Sequence, residues 1–341
     1  MLISVIIPAY RAAATIREAL ETVEAQTAWE SNRSRLEAEI IVVDDASGDE
    51  TAAVAEAGLH ASGLRLQVLR LPSNMGPAAA RNRGIAQAKG EWIAFLDADD
   101  AWLPDKIEVQ LSLAAQQPDV AMWCGETAAV WECGSMGVGE DGSGGEKAEG
   151  GTPNIEHRTP KAERFVSGIR RLRLADFGCG NPVATSTVLI RKAALDEVGG
   201  FDEQFRGPED YDLWMRVAAR FPAALIEAPL ARYRSLPGSL SMDDRSFLPQ
   251  VLKVLDKAYG PGGVLRGIAS KRLATGYQHL ACAWMAAERG AMARAWRLFL
   301  ASLALWPWSY QMSGRRLAWA KSKLLARLVS RAIRGRQTTT R

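Results

Sequence analysis

The sequence predicts a doubly wound α/β fold, a mostly parallel central sheet with helices on both faces. Three observations carry this. Short Val- and Ile-rich apolar runs alternate with helix-period segments four times in about 115 residues. The runs are uniformly apolar rather than alternating, as strands covered on both faces require. Polar clusters follow immediately at three strand ends: Pro8-Ala9-Tyr10, Asp44-Asp45 and Asp97-Ala98-Asp99. In open α/β sheets, ligands bind beyond the carboxyl ends of the strands.

The elements follow in order. Leu2 to Ile7 is a buried strand ended by Pro8-Ala9-Tyr10. Thr15 to Gln26 is a helix, with Ile16, Ala19, Leu20 and Val23 on one stripe. Glu39 to Val43 is the second strand, followed by Asp44-Asp45-Ala46-Ser47-Gly48-Asp49 and a helix to Glu56. Leu64 to Leu69 is the third strand. Asn74-Met75-Gly76-Pro77 opens a helix with proline in its first turn, where the missing N–H is harmless, and Gly90 closes it. Glu91 to Leu96 is the fourth strand, and Leu103-Pro104-Asp105 starts the next helix. Val120 to Val130 and residues 181–190 have strand character, and the Gly-rich stretch 134–151 reads as a mobile loop. Lys192 to Val198 is a helix stopped by Gly199-Gly200, Asp210 to Arg220 is another, and residues from about Phe247 onward are helical. This organisation divides the chain into 1–118, 119–245 with the Gly-rich stretch, and a basic helical extension, 246–341.

Charge is distributed unevenly. The net charge of +3 is too small to indicate nucleic-acid binding, and no DNA or RNA motif is present. Beyond Gly260, however, 15 Lys and Arg face a single acid, Glu288, whereas residues 1–260 carry a net −11. From Leu317 to Ile333, apolar Leu317, Ala320, Leu324, Leu328 and Ala332 recur at helical spacing, joined by Leu325, Val329 and Ile333. Arg316, Lys323, Arg327 and Arg334 fall on another face, and five of the eleven tryptophans lie beyond Gly260. A basic amphipathic helix suits an anionic membrane surface; the same stripe equally suits packing on the body of the protein. No apolar run approaches the ~20 residues of a membrane span. Four cysteines without a CxxC read as reduced thiols. The expected location is cytoplasmic, peripheral on the inner membrane.

The polar clusters suggest a chemistry. Asp97 and Asp99, at i and i+2 on a strand end, can reach one site, and a hard cation such as Mg²⁺ or Mn²⁺ prefers carboxylate and phosphate oxygens. A solvated acidic turn is the plainer alternative. A carboxylate of Asp44-Asp45 can accept from the N3–H of uracil or thymine, or simply cap the following helix. In Gly76 to Gly84, small residues allow close helix–sheet packing, and Arg81 can face a phosphate. Gly207-Pro208-Glu209-Asp210 starts a helix with two acids, favourable to the dipole and also positioned to supply a general base.

These segments together resemble glycosyltransferase family 2 enzymes of the GT-A fold, bacterial surface-polysaccharide type. The resemblance is carried by Ser4-Val5-Ile6-Ile7-Pro8-Ala9-Tyr10, Ile41-Val42-Val43-Asp44-Asp45-Ala46-Ser47, Asn74-Met75-Gly76-Pro77-Ala78, Ala80-Arg81-Asn82, Phe95-Leu96-Asp97-Ala98-Asp99-Asp100 and Glu209-Asp210. It implies that Pro8, Ala9, Tyr10 and Asp45 line a nucleobase pocket with Asp44 alongside. It implies Asp97 near the ribose with Ala98 beside it, Asp99 as the metal ligand, and Asp210 as base with Glu209 next to it. The implied reaction is inverting transfer from a UDP- or dTDP-linked sugar to a hydroxyl of a glycan or lipid-linked acceptor. Where the family often has a histidine, Tyr233-Arg234-Ser235-Leu236-Pro237-Gly238-Ser239 has Leu236, which cannot ligate a metal; Arg234, Ser239 or Ser241 could substitute. A nucleotidyltransferase or a dehydrogenase would place glycines after the first strand, where this chain has Pro8-Ala9-Tyr10-Arg11.

Overall fold

The computed structural model describes residues 1–31, 35–58, 64–130, 168–234, 243–312, 315–317 and 320–338. The first strand, β1 (Leu2–Ala9), lies between parallel neighbours β2 (Glu37–Asp44) and β4 (Trp92–Phe95), so Ile6 pairs with both Ile41 and Phe95. Both faces are covered. Ile3, Val5 and Ile7 enter one core cluster and Ile6 the other, which explains an uninterrupted apolar run. β3 (Arg65–Arg70) adds in parallel outside β2.

Helices α1 (Ile16–Glu24), α2 (Thr27–Ser31), α3 (Thr51–Glu56), α4 (Pro77–Gln87) and α5 (Lys106–Gln116) connect these strands. Gly84 sets the approach of α4 to β1. A Cβ there would lie 2.5 Å from the Ile6 side chain, so any larger residue would push the helix off the sheet.

Beyond β4 the sheet becomes mixed. β8 (Leu189–Arg191) runs antiparallel to β4 and to β6 (Met122–Val130), and β6 runs parallel to β9 (Ala223–Arg234). The short β5 (Ala101–Trp102) and β7 (Ile169–Leu172) both pair antiparallel with β9. Among the described residues nine strands form this sheet, in the order β3-β2-β1-β4-β8-β6-β9-β5, with β7 on β9.

Residues 181–190, expected as a strand, are strand only from Leu189; Thr185–Thr187 form a 3-10 turn. Their hydroxyls bond locally and to nearby carboxylates, which competes with extended structure. Helix α6 (Lys192–Val198) ends at Gly199, whose φ of 86° is the left-handed stop that glycine favours.

Helix α7 (Glu209–Ala218) packs against α8 (Asp244–Tyr259). α9 (Lys271–Glu288), α10 (Met292–Leu305), the hairpin β10–β11 (Tyr310–Met312 and Arg315–Leu317) and α11 (Ala320–Thr338) complete a helical layer. Trp214, Leu255, Ala283, Phe299, Leu324 and Leu328 belong to one continuous core cluster, so the extension shares its interior with the body. Leu324 and Leu328 are fully buried. The packing alternative therefore holds for the centre of that stripe, while Leu325 and Val329, beside it, stay exposed. The stretch 134–151, the segment Ser235 to Ser241 with Leu236, and Trp319 lie outside the described residues. No helix among the described residues is long and apolar enough to cross a membrane.

Candidate active site

The carboxyl ends of β1 and β2 form one edge of the site. Asp45 N–H donates to the Ala9 carbonyl at 2.8 Å, locking the two strand ends together. Arg11 and Ala46 sit in the left-handed region, with φ of 52° and 55°, an uncommon state for residues other than glycine. Side chains hold this shape: Ser47 Oγ accepts from Arg11 N–H at 2.9 Å and Thr51 Oγ1 from Ala12 N–H at 2.8 Å. Such strain persists where the surroundings over-determine it, and it clusters at functional sites. Ala9 is buried, while Tyr10 is exposed with the Arg11 guanidinium 5.2 Å from its ring centre.

Asp44 and Asp45 differ in what they hold. Asp45 braces the loop before α4, its Oδ1 accepting from Met75 N–H at 2.7 Å and its Oδ2 from Gly76 N–H at 2.8 Å. Gly76 has φ of 93°, so a glycine is required there. Asp44 accepts one backbone bond, from Ser47 N–H to Oδ1 at 3.2 Å. Of the two, Asp44 keeps more acceptor capacity for a ligand.

Beyond β4, the Asp97–Asp100 loop brings three carboxylates together. Asp100 is buried; its Oδ2 accepts from Ser186 Oγ at 2.6 Å and its Oδ1 from Arg234 N–H at 3.0 Å. Burial, with Asp97 close by, pushes its pKa up to about 7. Asp99 is lifted to about 6 by burial and then by Asp97, against the pull of Arg234 and Arg81. Burial and then the nearby Asp97 disfavour the charged forms of Asp99 and Asp100, and a hard divalent cation at Asp97 and Asp99 would offset that crowded negative charge. No group of three or more His, Cys, Asp or Glu side chains able to hold a metal occurs among the described residues. Two carboxylates suit Mg²⁺ or Mn²⁺, which complete their shells with waters and phosphate oxygens. Asp97 gives one oxygen to Arg81, so Asp99 is the less committed ligand.

Arg81 stands elsewhere than the phosphate-facing position expected of it. It is buried, and its Nη2 donates to Asp97 Oδ1 at 2.6 Å while its Nη1 donates to Glu209 Oε1 at 2.8 Å. Burial opposes its charge, but Asp97 and Glu209 outweigh that and hold its pKa above the usual arginine value. A planar guanidinium with a fixed fork can bridge two carboxylates in this way. Arg81 thus ties the Asp97–Asp100 loop to the first turn of α7. Asn82 makes a parallel tie, donating to the Phe201 carbonyl and accepting from its N–H, both at 2.8 Å.

Glu209 and Asp210 are adjacent but differently placed. Glu209 is buried, and its second oxygen accepts from Gly207 N–H at 2.6 Å. Asp210 is partly buried, and its Oδ2 accepts from Asn181 Nδ2 at 2.9 Å and Thr185 Oγ1 at 3.1 Å. Burial and then the neighbouring Glu209 raise the Asp210 pKa to about 7, against Arg81. A carboxylate held by neutral donors and poised near neutrality matches the needs of a general base. Asn181, Thr185 and Ser186 were not anticipated; the run Thr185-Ser186-Thr187 inside an apolar stretch was the available signal.

Comparisons with known proteins give the family and the fold. Residues 4–173 match the family model "Glycosyl transferase family 2" and residues 179–259 match "Glycosyltransferase like family 2". The chain is 32% identical over 235 residues to the amylovoran biosynthesis glycosyltransferase AmsB of Erwinia amylovora, covering 67% of this chain and 68% of AmsB. Against two further relatives the alignment spans 58% of their length. Among solved structures, S. aureus TarS 1–349 in complex with UDP-GlcNAc superposes with a TM-score of 0.56 at 18% identity, over 88% of this chain and 76% of TarS. The mannosyltransferase PcManGT of Pyrobaculum calidifontis, in complex with GDP-Man and Mn²⁺, gives 0.56 at 20% identity, over 97% of this chain and 86% of that one.

Proposed function

Because this chain belongs to glycosyltransferase family 2, we propose that it moves a sugar from a UDP- or dTDP-linked donor to a hydroxyl of a glycan or lipid-linked acceptor, with inversion. That it is a glycosyltransferase follows from the family. The observation that carries the finer reading is Asp210: a partly buried carboxylate with pKa about 7, held by Asn181 and Thr185, and tied through Glu209 and Arg81 to the Asp97–Asp100 loop.

In this reading Asp210 takes the proton of the acceptor hydroxyl as its oxygen bonds to the anomeric carbon. The bond from that carbon to the diphosphate oxygen breaks on the opposite face, and the nucleoside diphosphate leaves. One displacement inverts the centre. Asp99, with the second oxygen of Asp97, would hold a divalent cation, which supplies charge neutralisation for the diphosphate. Pro8, Ala9, Tyr10 and Asp44 line the nucleobase side, Asp97 and Ala98 the ribose side, and Asp45 shapes that edge through Met75 and Gly76. Glu209 positions rather than catalyses. TarS bound to UDP-GlcNAc and PcManGT bound to GDP-Man with Mn²⁺ support a nucleotide-sugar donor and a metal.

A thermal-shift screen of UDP-, dTDP- and GDP-sugars, with Mn²⁺ or with EDTA, tests the donor site. At a hundred times Kd, a true donor stabilises the native state by about 2.7 kcal/mol. The stabilisation should need metal and vanish in Asp99→Ala. A donor shift that survives EDTA or that substitution removes Asp99 from its role.

A lipid-linked acceptor would be met at a membrane face. Supporting peripheral contact, large apolar side chains remain exposed in the C-terminal layer: Trp308 at 70%, Leu300 at 57%, and Leu325 and Val329 at 42% each. Basic residues surround them in sequence, and each adds about 1 kcal/mol near an anionic surface. Co-sedimentation should show binding to phosphatidylserine-containing vesicles, little to neutral ones, and release by salt. Equal binding to both, or to neither, leaves the layer as ordinary packing.

A further inference from the structure

A cleft of about 340 Å³ opens between the Arg206–Gly207 loop and the first turns of α8, lined by Arg206, Arg245, Phe247 and Gln250 among others. Its volume lies in the range of small-ligand sites. Arg206 and Arg245 are both exposed, and neither forms an ion pair with a described carboxylate. The acids beside Arg245 are already neutralised: Asp243 pairs with Arg289 at 2.5 Å, and Asp244 pairs with Arg289 and Arg294; near Arg206, Glu203 accepts from Asn82 Nδ2 at 2.9 Å. The residues lining the cleft include two arginines and no acid, so an anion entering it meets positive charge. Gln250 adds a buried side-chain oxygen with no hydrogen-bond partner, an acceptor suited to a ligand hydroxyl. Phe247 supplies an apolar wall, within 3.6 Å of where a Cβ on Gly207 would stand.

The cleft adjoins both halves of the candidate site. A Cβ on Gly76, the glycine that Asp45 holds, would lie 3.4 Å from Arg206 Nε. On the other side, Arg206 precedes Asp210 by four residues, a separation of at most about 14 Å along the chain. A sugar whose hydroxyl sits at Asp210 can therefore carry an anionic group into the cleft. Arginine is the residue suited to gripping phosphate with paired N–H donors.

We propose that Arg206 and Arg245 form an anion subsite for the acceptor, so that the acceptor is a sugar bearing a phosphate ester or diphosphate. The proposal rests on Asp210 being the point where the acceptor hydroxyl is deprotonated. The phosphate can belong to a lipid carrier or to a phosphorylated glycan, and both present the same oxygens to the arginines.

The test uses the full chain in EDTA without nucleotide, titrated calorimetrically with octyl phosphate, glucose 1-phosphate and octyl glucoside. Phosphate probes should bind the unaltered protein, and Arg206→Gln with Arg245→Gln should weaken them by about tenfold per arginine. Octyl glucoside should be indifferent to the change, and UDP binding with Mn²⁺ should be unaltered. Preference for octyl phosphate identifies a lipid carrier, and preference for glucose 1-phosphate a phosphorylated glycan. Raising the salt should weaken phosphate binding to the unaltered protein, an arm that needs no variant. Phosphate probes that bind no better than octyl glucoside, that survive the double substitution, or whose loss is matched by loss of UDP, overturn the subsite. Transfer that persists in Asp210→Asn would instead overturn the catalytic reading and leave these binding results standing.

Discussion

Asp210→Asn should lower the transfer rate by about 10²–10⁴-fold, the usual contribution of a general base, with donor binding intact. The amide keeps the size of the side chain and can still meet Asn181 and Thr185, so the loss isolates proton transfer. Burial and Glu209 raise the Asp210 pKa to about 7. The active form is the carboxylate, so the rate should fall as pH drops below about 7 and level off above it. Glu209→Gln removes a negative neighbour and leaves the Arg81 charge less neutralised. Both effects favour the Asp210 carboxylate, so the acidic limb should move to lower pH. A limb that stays put, or moves up, would show that Glu209 does not act on Asp210. Normal turnover at saturating donor in Asp210→Asn would make Asp210 a binding residue.

Arg81→Met should destabilise the protein by about 3–5 kcal/mol, the range for removing one partner of a buried ion pair. The substitution leaves Glu209, 3% exposed, with a charge answered only by Gly207 N–H, and strips Asp97 of its 2.6 Å donor. Lysine should rescue little, because one ammonium cannot reproduce a fork that serves two carboxylates. Adding Glu209→Gln to Arg81→Met should recover part of the loss, since the stranded charge is then gone. Urea unfolding of the three variants measures this. A loss below about 1 kcal/mol in Arg81→Met would mean that the two carboxylates find water or other partners.

The first hundred residues were legible because their elements signal themselves locally. β1 and β4 fall within about two residues of the expected runs, and α6 falls on the expected residues, since Gly199 can stop a helix where other residues resist. The carboxylates of 44–45, 97–99 and 209–210 were found because each follows an apolar run or opens a helix. What local pattern does not encode is partnership across the chain. Arg81 joins Asp97, 16 residues away, to Glu209, 128 residues away, and on its own it reads as an arginine free to face a phosphate. The same holds for Asn181 and Thr185 around Asp210. For α11 the periodicity defined an apolar stripe but not what covers it, and Leu324 and Leu328 turn out to face the protein.

The shared core of α7 with the later helices also bears on how the chain comes into being. β1, β2, β3 and β4, with the loops that carry Asp45 and Asp99, lie within the first hundred residues. Helix α7, which presents Asp210, is covered by α8, and its Trp214 belongs to the same interior as Leu255 of α8, Ala283 of α9 and Phe299 of α10. Ribosomes add about 5–20 residues per second, amino end first. Between Asp210 and Phe299, about 5–18 seconds of synthesis therefore pass during which Asp210 exists without its support. A nascent chain can gather β1 to β4 well before the helices that cover α7 exist, so Asp210 is the last of these carboxylates to be held in place.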